Sequence, residues 1–93
     1  MATFVQSYAE AQTDLAVITP SESLGEKIYL WQVILTAENG AELNFLTSAV
    51  QVAKVDGSGS LGISNPDKSG IIGEPLSLTC GANATVKVMY DKI

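Results

Sequence analysis

The chain has 93 residues, ten acidic and five lysine, giving a formal net charge of −5, and it contains neither His nor Arg. That composition excludes Ser-His-Asp and Cys-His machinery, imidazole metal sites and a guanidinium clamp on phosphate. Hydrophobic residues reach 46% against 16% charged, which fits one folded domain and does not fit a disordered segment or a basic nucleic-acid binder.

The opening Met1 to Tyr8 has no basic n-region and no apolar run of signal-peptide length. The longest apolar stretch, Ile28 to Leu35, is broken by Gln32 and falls well short of the roughly 20 residues of a membrane span. We therefore expect synthesis in the cytosol and no membrane partner. The single cysteine, Cys80, fits a reducing compartment and reads as a small buried hydrophobe on a strand.

The favoured period is two, with Val, Ile, Thr, Leu and aromatic residues in short runs separated by Gly, Pro, Asn, Asp and Ser. Thr3 to Tyr8 and Asp14 to Thr19 read as strands, with Ala9 to Gln12 between them as a turn that a helical turn would also satisfy. Pro20 forces Thr19 extended and removes a donor, so Thr19 to Ser23 is a loop. Lys27 to Thr36 is the strongest strand. Asn39-Gly40 then predicts a type I′ hairpin leading into a partner strand over Ala41 to Thr47, with Leu43 and Phe45 on one face. Val50 to Val52 alternates again, and Val55 falls one step out of phase, which predicts a bulge or a strand end. Asp56 to Ser60 reads as the most flexible stretch, and Ile63 to Gly70 as a long loop. Glu74 to Thr79 and Thr85 to Ile93 are expected to close the fold as a pair joined by Gly81-Ala82-Asn83. In the last strand Val86, Val88 and Tyr90 face one way, Lys87 and Met89 the other.

Seven or eight short strands with turns about every ten residues predict an all-β, single-domain antiparallel β-sandwich, jelly-roll-like. Residues 1–23 would supply an N-terminal arm or the first strands, and residues 24–93 the sandwich core.

One strand breaks the simple alternation. On Lys27 to Thr36, Ile28, Leu30 and Ile34 take one face, while Tyr29, Trp31, Val33 and Leu35 take the other. An antiparallel sandwich strand normally keeps one wet face. Either a local cover such as Phe4-Val5 hides the second face, or Tyr29, Trp31, Val33 and Leu35 form an oligomer interface anchored by the aromatics.

Other constellations carry little chemistry. Glu38 and Glu42 flank the Asn39-Gly40 turn and would approach one another across a hairpin, yet nothing else converges on them. Asp56-Gly57-Ser58-Gly59-Ser60 lacks the spaced carboxylates of a calcium loop and the Gly-Lys-Ser/Thr of a phosphate loop. Asn83-Ala84-Thr85 has the form of a glycosylation sequon and reads as a turn. No serine has a base beside it. We expect no enzyme activity, no metal and no cofactor.

The order of elements supplies a further lead. Gly25 to Ala37, a Gly-containing hairpin, Leu43-Asn44-Phe45, a glycine-rich middle, Gly73-Glu74-Pro75-Leu76-Ser77-Leu78-Thr79 and Ala84 to Tyr90 follow one another. This order resembles that of small β-sandwich decoration, cement or fibre-module proteins of tailed bacteriophages. The resemblance runs from Gly25 onward and has no counterpart for the polar Asp56 to Gly70 segment. It implies a virion protein on the capsid surface, self-associated with a trimer favoured, and bound to the major capsid protein without nucleic acid. It also implies that Phe4, Val5 and Tyr8, or the Asp56 to Gly70 loop, touch the shell. A head or tail fibre or baseplate module is the alternative. A carbohydrate-binding sandwich using Tyr8, Tyr29 or Trp31 as platforms is a more distant one.

Overall fold

Period-two alternation becomes eight strands in the computed structural model, which describes Met1–Ile93 and contains no helix. They are β1 (Ala2–Tyr8), β2 (Gln12–Ile18), β3 (Ile28–Ala37), β4 (Ala41–Phe45), β5 (Gln51–Val55), β6 (Gly59–Ser64), β7 (Leu76–Cys80) and β8 (Ala84–Lys92). One sheet has the order β1-β8-β3-β6 and the other β2-β7-β4-β5, all neighbours antiparallel. First pairs with last, second with seventh, third with sixth and fourth with fifth. The chain is thus one long antiparallel ribbon, folded at the β4–β5 hairpin and wound so that its halves make two sheets. That winding defines a jelly roll.

The inner faces meet in one core. Leu30, Val33, Leu35, Val86 and Val88 project from the first sheet and Leu43, Phe45, Leu76 and Leu78 from the second, all at most 1% exposed. The molecule exposes 4862 Å², close to the roughly 5,200 Å² expected of a folded monomer of 9.8 kDa. One chain therefore buries its full share of surface without help from a partner.

Several turns act differently from their sequence signals. Asn39-Gly40 does not make a hairpin: β3 lies in one sheet and β4 in the other, and of the two residues only Gly40 has a positive φ, 82°. A type I′ hairpin needs both residues there. The link instead arches across the end of the sandwich, because the apolar faces of both β3 and β4 must look into the same core. Gly81-Ala82-Asn83 does the same between β7 and β8, so the predicted closing pair is split between sheets. Residues 9–11 connect β1 to β2 without a helical turn.

The middle of the chain also differs. The segment read as flexible linker and loop contains β6, which pairs with β3 from Gln32↔Ser64 to Ala37↔Gly59. Gly59 and Gly62 mask the Leu61/Ile63 alternation that fixes its facing. The predicted irregularity near Val55 is present: Leu43↔Ala53 is followed by Asn44↔Gln51, so Val52 is an extra residue, and Val52 and Ala53 are both buried.

The arches are tightly built. Gly81 donates to Gly40 O at 3.1 Å and Asn39 Nδ2 to Ala82 O at 2.9 Å. A Cβ on Gly81 would sit 2.5 Å from Asn39 O and 2.7 Å from Asn39 Cβ, so the backbone itself would have to move. Gly81→Ala should cost about 1–3 kcal/mol through this overpacking, read as a lowered urea midpoint at unchanged m-value. A midpoint equal to the parent's would show that the two arches are not in contact.

Candidate functional site

The two-faced strand resolves into a bulge. Leu30 pairs with Tyr90 but Gln32 pairs with Met89, which leaves Trp31 as an extra residue in β3. An inserted residue reverses the facing of everything after it. Ile28 and Leu30 point inward before the bulge; Val33, Leu35 and Ala37 point inward after it. The predicted four-residue interface is therefore corrected: Val33 and Leu35 are fully buried in the core, and only Tyr29 and Trp31 face outward. The N-terminal contacts separate in the same way. Phe4 and Tyr8 are half-buried against the core, while Val5 is 57% exposed. The segment 1–23 is not a free arm, since β1 and β2 form edge strands of opposite sheets.

Tyr29 and Trp31 meet edge to face, with ring centroids 4.9 Å apart and planes at 65°. Trp31 Nε1 donates to Asp91 Oδ2 at 2.7 Å, and the Met1 ammonium lies 3.0 Å from Asp91 Oδ1. The tryptophan hydrogen bond, then that of the ammonium, holds the Asp91 carboxyl below the usual aspartate range. The stability this carboxylate contributes is thus present above its unfolded value and lost as pH falls through the lowered folded one. Trp31 is the sole tryptophan, so its emission reports this proton. In a fluorescence titration the emission should change below the ordinary aspartate range, and Asp91→Asn should remove that step. A step that survives Asp91→Asn would assign it to another group.

The Glu38/Glu42 pair does not form. Asn83 Nδ2 donates to Glu38 Oε2 at 3.1 Å, Asn44 Nδ2 donates to Glu42 Oε1 at 2.7 Å, and the chain changes sheets between the two glutamates. No three His, Cys, Asp or Glu side chains converge anywhere. The depression beside Asn39, Glu42, Lys54 and Asp56 is shallow, about 250 Å³.

The marked surface feature is an end. Winding the ribbon up and down places the connections 9–11, 38–40, 56–58 and 81–83 at one end of the sandwich. The connections 19–27, 46–50 and 65–75 and both chain ends lie at the other. The first end carries short polar turns with Glu10, Glu38 and Asp56, and Lys54 Nζ lies 3.6 Å from Asp56 Oδ1; the longer loops of the second hold Glu22, Glu26, Asp67 and Glu74 beside Lys27 and Lys68. The second carries seven of the nine exposed large hydrophobics, among them Leu24 (76% exposed), Ile71 (58%), Ile72 (56%), Leu46 and Val50; Val5 and Trp31 lie within strands. Scattered apolar residues on a surface mean little, but their segregation to one end makes that end the candidate interaction site.

This apolar end is held in shape by its own loops. Gly73 N donates to Glu26 O at 2.9 Å, Leu46 N to Pro75 O at 3.0 Å and Gly70 N to Ile28 O at 3.1 Å. Glu74, 2% exposed, ties two loops together: its carboxylate accepts from Ser48 N, from Ser48 Oγ at 3.2 Å and from Ile71 N at 3.2 Å. Burial pushes the Glu74 carboxyl up, and these hydrogen bonds outweigh it, so its pKa is lowered. Gly70 lies against the Phe45 ring, where a Cβ would come within 3.0 Å of two ring carbons. Beside it, Lys27, Ser69, Ile71 and Ile72 line a shallow hollow of about 580 Å³.

Sequence reasoning named the Asp56 to Gly70 loop as a contact and Gly73-Glu74-Pro75 within the resemblance, but singled out none of Leu24, Leu46, Val50, Ile71 and Ile72 as contacts. The available signal was Ile71-Ile72, an apolar pair inside a non-periodic loop and enclosed by Gly70 and Gly73. Leu24, Leu46 and Val50 gave no such hint, being single apolar residues far apart in the chain. No protein-family model matches the chain and no curated protein matches it, so its fold and surface carry the functional reading.

Proposed function

We propose that this protein is a structural virion component, a decoration or cement protein that seats its apolar, loop-bearing end on the outer surface of a tailed-phage head. The observation that supports this most is the distribution of apolar surface: exposed hydrophobics on the long loops of one end, short polar turns at the other. A jelly roll with a stiff core and pre-shaped loops suits a clamp, because little ordering entropy is lost when it docks. The order of elements from Gly25 to Tyr90, which resembles that of phage decoration proteins, supports the same reading. Many copies on a symmetric shell give each weak contact a high effective concentration, and a ligand that binds only the expanded lattice stabilises it by mass action. The net charge of −5 favours solubility of the free protein.

A fibre or baseplate module would use the same end in few copies. Quantitative mass spectrometry of purified particles separates the two: a fixed high ratio to the major shell protein supports decoration, and a handful of copies moves the chain to tail or fibre. Complete absence from particles would sink the virion reading. The carbohydrate-binding alternative gains little from Tyr29 and Trp31, since their rings are steeply inclined and the indole N–H is already bonded to Asp91. Within the docking reading, Leu24→Asp combined with Ile71→Asp should abolish co-sedimentation with particles while leaving the circular dichroism spectrum unchanged. Retained binding would place the contact elsewhere.

A further inference from the structure

Four strands leave an edge open, and they differ in how that edge is protected. β2 carries two irregularities in its pairing with β7, one of them holding Asp14 at φ 46°. β5 carries the Val52 bulge and the charged Lys54, and Lys68 Nζ reaches over to Gln51 O at 2.5 Å. Bulges, inserted charges and covering side chains are the devices that stop a sheet edge from recruiting another strand. β6 pairs regularly with β3, but Gly59 and Gly62 weaken it as a template.

β1 has neither a bulge nor an inserted charge. Its seven residues, Ala2-Thr3-Phe4-Val5-Gln6-Ser7-Tyr8, pair with β8 from Ala2↔Tyr90 to Tyr8↔Ala84 without a shift. The strand contains no charge, no proline and no glycine. No strand or loop bonds its far side, and the only side-chain bond to its main chain is from Gln6 Nε2 to Ser7 O at 3.1 Å.

We infer that the open edge of β1 is a self-association site that pairs antiparallel with β1 of a second copy across a two-fold axis at Val5. The strand is complementary to itself in that register. Val5 meets Val5 and Thr3 meets Ser7 on the outer face, while Phe4 meets Gln6 and Ala2 meets Tyr8 on the inner one. Hydroxyl pairing already occurs on that outer face, where Ser7 Oγ and Thr85 Oγ1 are 2.9 Å apart. Like charges directly opposite one another destabilise strand pairs, and this register opposes none. The nearest ionic side chain to the axis is Lys87, opposite Val5 on β8. The acidic excess of the chain is therefore kept away from the join. The product is a continuous eight-stranded sheet with the two apolar ends facing opposite ways. It is a pair, distinct from the trimer that the resemblance to decoration proteins implies, and it does not rest on the docking reading.

Charge substitution at the axis tests this on the full chain. Val5 is mostly exposed, so Val5→Lys and Val5→Glu should both fold, as checked by circular dichroism. In sedimentation equilibrium the parent should approach twice 9.8 kDa as concentration rises. Each variant alone should stay at the monomer mass over the same range, because two like charges then face each other. An equimolar mixture of the two should recover the doubled mass, since the introduced ammonium of one copy then meets the introduced carboxylate of the other. A parent that stays monomeric, a parent that sediments as a trimer, a dimer that survives Val5→Lys, or a mixture that does not reassociate would each overturn the inference.

Discussion

Phe45→Ala should lower the stability of the domain by about 3–5 kcal/mol, the range for truncating a fully buried aromatic. Phe45 is 0% exposed, ends β4 and packs its ring beneath Gly70, so the lost volume opens directly under the loop that carries Ile71 and Ile72. A chain of this length has roughly 5–14 kcal/mol of total stability, so the change removes a sizeable fraction of it. At about 4–8 °C per kcal/mol for a domain this small, the melting temperature should fall by more than about 12 °C. Differential scanning calorimetry reads this directly. A drop of only a few degrees would mean that the 65–75 loop collapses into the space and that the apolar end is softer than its hydrogen bonds imply. The functional consequence follows from the same geometry: a loosened loop must be reordered on docking, so co-sedimentation with particles should weaken even at temperatures where the variant remains folded.

Loss of the Glu74 carboxylate should have the second large effect. Glu74→Ala removes the charged acceptor of the part-buried bonds from the Ser48 and Ile71 amides, and a hydrogen bond to a charged group contributes about 1.5–3 kcal/mol. A destabilisation of about 3 kcal/mol is expected from the two together, with amide exchange accelerated first in the 46–50 and 65–75 connections. The pH dependence has a definite sign. The folded-state pKa lies below the ordinary glutamate value, so below pH 4.5 the unfolded chain binds the proton more readily than the native one. Stability from this group is therefore complete above about pH 5 and is lost as pH falls through the lowered folded value. Urea midpoints taken from about pH 6 downward should decline for the parent, and the decline should be shallower for Glu74→Gln. Equal slopes for the two would show that other carboxylates, Asp91 among them, set the acid sensitivity.

Both effects fall on the same end of the molecule, and that end was nearly invisible in the linear chain. The β2–β3, β4–β5 and β6–β7 connections lie far apart in the chain, and each carries only one or two exposed apolar side chains. Their convergence follows from the up-and-down winding, which is a property of the whole ribbon. Glu74 was read as the start of a strand, as period two suggests, yet Pro75 cannot donate to a ladder and β7 begins at Leu76. What the carboxylate does instead depends on Ser48, a residue 26 positions away.

The interface residues show the same division. Tyr29, Trp31, Val33 and Leu35 share a face only if β3 is regular throughout. Trp31 is squeezed out of register against β8, between Tyr90 and Met89, and the strand changes its inward set there. A run that is apolar at nearly every position has no period left to reveal such a shift.

The amino-acid sequence by itself determined that this chain is all-β, where most strands lie, and that Leu43 and Phe45 share one face of their strand, as Val86 and Val88 do of theirs. Those properties follow from side-chain alternation and from turn residues, which act within a few positions. Tertiary structure alone decided which strands pair, that Asn39-Gly40 and Gly81-Ala82-Asn83 arch between sheets, where β3 changes its facing, and which loops share an end. Each of those depends on two sheets having to bury their apolar faces against each other, a condition that no local segment can satisfy or encode alone.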